Sequence, residues 1–330
     1  MILDKSAEDT QTEAKMHGSL ADYIAIMRLD HSTKHIFIVP GMILAYLLRG
    51  VQNEFLLRSV ALGLVTAICI ASANYTINEW LDRDFDKYHP RKSQRSAVQK
   101  ELRGSFVLLE WLALVTAGLV CAWLASKTML LVAGVFAIQG IFYNVPPLRT
   151  KNKAYLDVVS ESINNPLRLI IGWAMIDAAT LPPSSIILTY WSGGAFLMAA
   201  KRLSEYREIV ASHGKDLLER YRASFAGYSE ASLTASCFLY ALLSVFFLAI
   251  FLIKYRIEYI LAVPFVIALF AYYIILSMQP ESSAQRPERL FQERGLILLV
   301  ALLTASFFLL SFIDLPLLAV LTSQQFIVIR

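Results

Sequence analysis

Asn78, Glu79, Asp82 and Asp86 crowd into one short stretch, NEWLDRDFD, that could do chemistry. On a helix Asn78, Asp82 and Asp86 fall at i, i+4 and i+8, and Glu79 reaches Asp82 three positions on. The four side chains then form one stripe, while Asp84 points elsewhere. Clustered carboxylates repel one another and need cations to offset them. Magnesium suits them, because it accepts carboxylate oxygens and keeps positions open for phosphate. A second stretch, YLDVVSESINNPLRLIIGW, places Asp157 and Glu161 at i and i+4, with Asn165 and Arg168 farther along the same face. Two such helices facing one cavity would hold two magnesium ions on a diphosphate, which then becomes a good leaving group. Asn78, Glu79, Asp82, Asp86, Asp157 and Glu161 are thus the expected metal ligands, and Asp82, Asp86 and Asp157 the expected catalytic residues.

The elements that must position these residues are oily. The chain has 330 residues, 57% hydrophobic and 17% charged, with a mean hydropathy of +0.54. Soluble domains carry about a quarter charged residues, so an ordinary soluble domain is excluded and an all-α polytopic membrane protein is expected. A bilayer core takes roughly 20 helical residues. Candidate spans lie near 35–52, 56–77, 106–125, 128–146, 156–176, 184–200, 231–253, 257–277 and 295–313, about nine in all. The fifth carries Asp157, Glu161 and Arg168, which lipid would penalise unless they face the inside of a bundle. Pro166 is expected to bend or break it, and Pro90 to end the helix that carries the first stripe.

Lysine and arginine set the orientation. The connections after the second, fourth, sixth and eighth spans hold Arg83 to Arg103, Arg149 to Lys153, Lys201 to Arg222, and Arg286, Arg289 and Arg294. The alternate connections hold only Arg49, Arg58, Lys127, Lys254 and Arg256. The basic side, which includes the amino terminus, is therefore expected to be cytosolic, with the polar cavity opening toward it. Residues 1–21 form a polar cytosolic tail without the apolar core of a signal peptide, followed by one transmembrane domain over 22–330. Cys69, Cys121 and Cys237 stand singly in apolar segments and serve packing.

These motifs resemble the UbiA superfamily of intramembrane prenyltransferases. Its Asn-Asp-x-x-Asp-x-x-x-Asp signature is matched by Asn78, Glu79, Asp82 and Asp86, with glutamate in place of the first aspartate. HPRKSQRSA is similar to its His-Pro-x-Lys-x-x-Arg-Pro, with Ser96 for the last proline. Its Asp-x-x-x-Asp is matched by Asp157 and Glu161. The resemblance implies a nine-helix bundle, magnesium as cofactor, an isoprenoid lipid substrate, a diphosphate-bearing donor and no nucleic-acid partner. In a bacterial-type cell it implies the inner membrane.

Within the superfamily, MRLDHSTKHIFIVPG, MAAKRLSEYRE, LLERYRASF and RPERLFQERGLILLV look closest to the decaprenyl-phosphate phosphoribosyltransferases. That branch implies roles for Lys34, Lys201, Arg202 and Glu205. It also implies a reaction in which a polyprenyl phosphate oxygen attacks the anomeric carbon of phosphoribosyl diphosphate and expels diphosphate. Lys92, Arg95, Tyr143, Asn165 and Arg168 complete the expected substrate-binding set, with Lys201 and Arg202 offered to the 5-phosphate and Arg207 available beside them. The alternative is a prenyl diphosphate joined to an aromatic acceptor such as 4-hydroxybenzoate, with Phe142, Tyr143 and Trp173 near the developing cation. An ion-coupled transporter is a more remote reading, since the acids gather near one face and not at the midplane.

Overall fold

The computed structural model describes residues 16–280, 282–285, 290 and 292–321. Arg286 and Arg289, residues 1–15 of the tail and residues 322–330 lie outside the described residues. Among the described residues the protein is all-helical: α1 Leu20–Ile26, α2 Val39–Arg49, α3 Leu56–Asp86, α4 Ser96–Gln99, α5 Gly104–Ala125, α6 Lys127–Asn144, α7 Leu156–Ser162, α8 Asn164–Ile176, α9 Ser184–His213, α10 Lys215–Tyr221, α11 Glu230–Tyr255, α12 Val263–Met278, α13 Arg294–Leu310 and α14 Pro316–Leu321. Every expected span is helical. By length and composition, five helical segments can cross a bilayer: α3, α5, α6, α11, and the stretch Ile257–Met278 that ends in α12. The other expected spans are shorter, broken or more polar. α2 has 11 residues, continued toward the amino terminus by a 3-10 helix over Leu29–Ile38.

Apolar side chains face outward as well as inward, as lipid requires. On α5, Leu108, Leu109, Leu112 and Trp123 are exposed, and on α11 so are Leu242 and Phe246. The inner faces form two larger cores. One packs α9 on α11 through Phe196, Ala199, Leu203, Leu233 and Cys237. The other joins α3, α6 and α8 through Ile70, Phe136 and Ile171.

Two packing features aim polar residues inward. The first is the break between α7 and α8. Pro166 cannot donate to the Ser162 carbonyl four residues back, so the break falls there and the proline sits in the first turn of α8, where it is tolerated. Nearby carbonyls find other donors, as buried backbone in a membrane must. Gln139 donates to Ser160 O, and Trp191 Nε1 donates to Val159 O at 3.0 Å. The expected bend at Pro166 thus appears three residues earlier, at Ile163, as a reset between two helices. Likewise α3 ends at Asp86, ahead of Pro90.

The second feature is a reciprocal glycine contact. A Cβ on Gly41 of α2 would collide with the Leu169 carbonyl, and one on Gly172 of α8 with the Ile38 carbonyl. Without side chains the two backbones pack closely, which brings Lys34 and Arg168 to one side of the bundle interior. Backbone cannot yield as a flexible side chain can. Gly172→Ala is therefore expected to cost about 1–3 kcal/mol, read as a lower thermal-unfolding midpoint in detergent. An unchanged midpoint would contradict the close contact.

Candidate active site

α3 runs unbroken past Tyr75, so the acidic stripe forms as its spacing requires. Asn78, Glu79 and Asp82 line a cavity of about 690 Å³. Asp86 is buried and lies instead on the wall of a small neighbouring pocket, which it shares with Asp82, Lys92, Arg149, Lys151 and Arg222. Each carboxylate already has cations. Glu79 has Arg28 at 3.5 Å and Arg95 at 3.9 Å, and Asp86 accepts from Arg95 Nη1 at 2.6 Å. Asp82 Oδ1 takes both Arg149 Nη2 at 2.8 Å and Lys151 Nζ at 2.6 Å.

The second acidic pair divides. Glu161 lines the cavity and accepts from the Tyr143 hydroxyl at 2.6 Å. Asp157, 0% exposed, does not reach the cavity. Its oxygens accept from Arg202 Nε at 3.1 Å, Ser224 Oγ at 3.1 Å and Tyr228 OH at 2.7 Å. Arg202 spends its remaining nitrogens on Glu161 at 3.3 Å and Glu205 at 2.8 Å. Glu205 is buried and also accepts from Tyr221 OH at 3.1 Å. This differs from the expectations drawn from spacing for Asp86 and Asp157 and from the resemblance for Arg202 and Glu205: Asp157, Asp86 and Glu205 are off the cavity wall, and Arg202 is engaged on three sides although it touches the cavity. In the first turn of α7, Asp157 faces α9 and the 222–228 segment, so its charge goes into joining elements.

The loop after α3 brings two more expected residues to the wall, Lys92 and Arg95. His89 organises it. Its Nδ1 accepts from the backbone N–H groups of Arg91 and Lys92 at 3.1 and 3.3 Å, and its ring meets Tyr221 edge-on at 4.6 Å. Burial first, then the charge of Lys92, push His89 down to about 3. It therefore stays neutral and keeps the acceptor that this turn uses. Burial likewise lowers Lys92, whose ammonium sits 4.8 Å from the centre of the Tyr221 ring, and pushes Lys151 down to about 8.

Lys34, Tyr143, Asn165, Arg168 and Lys201, the other residues expected to bind substrate, all line the cavity. Lys34 lies over the Tyr75 ring and Arg168 over the Phe136 ring, each 5.2 Å from the ring centre. Arg168 Nε is buried without a hydrogen-bond partner among the described residues. Among the described residues Lys34, Arg168 and Lys201 form no ion pair. Among the described residues, eight cationic side chains and three carboxylates line the cavity, so its balance favours a polyanion. Sequence spacing did not single out Arg28, Arg149, Lys151 or Arg222 for the site. Only their positions in quoted or basic stretches marked them, and Arg149 and Lys151 counted there solely toward orientation.

Residues 37–293 match the sequence profile of the UbiA prenyltransferase family. The chain belongs to that family. Among its curated relatives, a protoheme IX farnesyltransferase of Alkalihalophilus pseudofirmus is 27% identical over 211 residues. That match covers 62% of this chain and 65% of the relative, so the chain spans just under two thirds of that protein's length. A second protoheme IX farnesyltransferase, from Bacillus mycoides, is 26% identical over 209 residues, 62% of this chain and 67% of the relative. The fold matches a UbiA homolog from Archaeoglobus fulgidus bound to DMAPP and Mg2+, with a TM-score of 0.65 and 20% identity over 88% of this chain and 100% of that one. It also matches a structure described as digeranylgeranylglyceryl phosphate synthase, with a TM-score of 0.60 and 15% identity over 87% of this chain and 98% of that one. Family and helices together make this a multi-pass membrane protein.

Among the described residues, no three acidic, histidine or cysteine side chains gather closely enough to hold a metal by themselves. Such a cluster is not required where a ligand's phosphates complete the shell, since magnesium commonly takes one or two carboxylates and fills its other positions with phosphate and water. Asn78, Glu79 and Asp82 offer such a hard-oxygen set on one helix face. A cation already rests there: the Lys151 ammonium lies within 3.1 Å of Asn78 Oδ1 and 2.6 Å of Asp82 Oδ1. The residues present fit a divalent metal on the α3 side, with Glu161 as the one acid of the second motif that reaches the cavity.

Two variants separate joining charges from site charges. Removing one partner of a buried ion pair costs about 3–5 kcal/mol, so Asp157→Ala should lower the thermal midpoint in detergent sharply. Lys201→Ala removes a cation that forms no ion pair among the described residues and should leave the midpoint unchanged or raise it. Equal midpoints for Asp157→Ala and the parent would contradict the joining role.

Proposed function

We propose that this UbiA-family protein transfers the phosphoribosyl group of phosphoribosyl diphosphate to a polyprenyl phosphate and releases diphosphate, on the cytosolic side of the membrane. One observation carries the reading. Among the described residues Lys34, Arg168 and Lys201 line the cavity without an ion pair, and they stand on the 29–38 turn, α8 and α9, not on α3. A donor with a diphosphate at one end and a phosphate at the other calls for a second anion site, apart from the acidic stripe.

The roles then divide. Asn78, Glu79, Asp82 and Glu161 would hold magnesium, which when bound offsets charge on the departing diphosphate. Arg28, Lys92 and Arg95 flank that side, and Lys201 and Lys34 take the 5-phosphate. Leu197, Met198, Leu296, Ile297 and Val300 form an apolar part of the lining suited to an isoprenoid chain. The attacking phosphate oxygen is already anionic, so no side chain need serve as general base. Tyr143, fixed between Glu161 and Arg222 at 2.6 and 2.8 Å, keeps Glu161 aimed into the cavity.

The second reading is transfer of a prenyl group from its diphosphate, which the names of the relatives favour. Of the aromatic residues expected near a prenyl cation, Tyr143 is in the lining, where Phe37, Tyr75, Phe136 and Tyr273 also stand. Phe142 is 51% exposed on the outer face, and Trp173 is buried in the core beside α2.

Purified protein with magnesium should be offered labelled phosphoribosyl diphosphate with polyprenyl phosphate and, in parallel, prenyl diphosphate with 4-hydroxybenzoate or protoheme. Label is expected in the lipid fraction of the first reaction alone. Lys201→Ala should weaken donor binding by one to two powers of ten, the loss of one charged contact worth roughly 1.5–3 kcal/mol. It should leave the KM for polyprenyl phosphate nearly unchanged. A prenylated acceptor with no phosphoribosyl lipid would establish the second reading.

A further inference from the structure

Lys151 is 3% exposed, yet it comes from a short turn over Thr150–Asn152, outside the expected spans. Its ammonium sits among three side-chain oxygens: Asp82 Oδ1 at 2.6 Å, Asn144 Oδ1 at 2.9 Å and Asn78 Oδ1 at 3.1 Å. The cage is built, not incidental. Asn144 ends α6 and is itself buried, and its amide nitrogen donates to Gly140 O at 2.9 Å, which turns its oxygen toward Lys151. Arg149 leaves the preceding turn with a φ of 30° and reaches the same Asp82 oxygen. Two cations thus share one carboxylate oxygen, more positive charge than that carboxylate balances.

Two of the three caging oxygens, Asn78 Oδ1 and Asp82 Oδ1, are the donors assigned above to magnesium. A magnesium ion takes oxygen at about 2.0–2.1 Å. It could not hold these atoms with an ammonium still in the same shell, because like charges a few ångströms apart in a buried site repel strongly. We propose that Lys151 is a built-in counter-cation that occupies the metal face of Asn78 and Asp82 and competes with the divalent ion for it. The free protein then binds metal weakly. Strong binding waits for an anionic ligand that gives the displaced ammonium a new partner, so the metal arrives together with its diphosphate. Lys151 acts as a positioning residue, and this role rests on the metal assignment made for the α3 stripe.

The test is Mn2+ binding to the purified protein without substrate, read as loss of the free aqueous Mn2+ signal in electron paramagnetic resonance. Lys151→Met should bind Mn2+ about tenfold or more tightly than the parent. Asn144→Ala, which loosens the ammonium without touching either shared oxygen, should tighten binding by a smaller factor and guards against misfolding of the first variant. Combining Lys151→Met with Asp82→Asn should abolish the gain. If Lys151→Met and Asn144→Ala bind like the parent, or more weakly, while Asp82→Asn still abolishes binding, the competition is wrong and the metal assignment stands. If Asp82→Asn alters nothing, or no form binds Mn2+, the assignment fails and the competition fails with it.

Discussion

The structure depends on Arg202. Its guanidinium is buried and held by three carboxylates, Asp157 and Glu161 from α7 and Glu205 from α9. A buried charge is tolerated only when paired and hydrogen-bonded, so Arg202 fixes where α7 must lie against α9. Ser224 and Tyr228 add their hydroxyls to Asp157, and Tyr221 adds its own to Glu205. The segment after α10 is thereby drawn onto the same knot. Lys201, one residue earlier on α9, cannot share that direction and faces the cavity, with no ion pair among the described residues. One arginine thus both closes the bundle and leaves its neighbour available to a ligand.

The same economy runs through the α3 side. Glu79, Asp82 and Asp86 would repel one another as bare carboxylates, but Arg28, Arg95, Arg149 and Lys151 converge on them from other segments. These contacts tie the amino-terminal turn, the loop after α3 and the turn after α6 to one helix end. Part of the charge that a ligand would meet is therefore already organised. Around the site, the break at Ile163 and the glycine contact between α2 and α8 hold Asn165 and Arg168 inward.

Much of this was legible in the sequence. The helical segments, the stripe of Asn78, Glu79 and Asp82, and the inward placement of Glu161, Asn165 and Arg168 follow from periodicity and from the cost of polar groups in lipid. What spacing could not give was which of two acids on one helix faces substrate. Asp157 and Glu161 share a helix face in sequence, yet the side-chain partners of Asp157 come from α9 and from the 222–228 segment, more than forty residues away. Arg149 and Lys151 were legible only as loop charge, because their pairing with Asp82 depends on how the α6–α7 turn folds back. Bilayer length excluded α2 and α8 as full spans of their own, since apolar composition alone does not show where a helix breaks.

The central claim is that the cavity receives a donor bearing anions at two ends. The most direct test is an experimental structure of the protein with magnesium and a non-hydrolysable phosphoribosyl diphosphate analogue. The account predicts the diphosphate beside Asn78, Glu79 and Asp82, with the 5-phosphate against Lys201 and Lys34. A 5-phosphate lying away from both lysines, or a cavity that admits only a prenyl diphosphate, would contradict it.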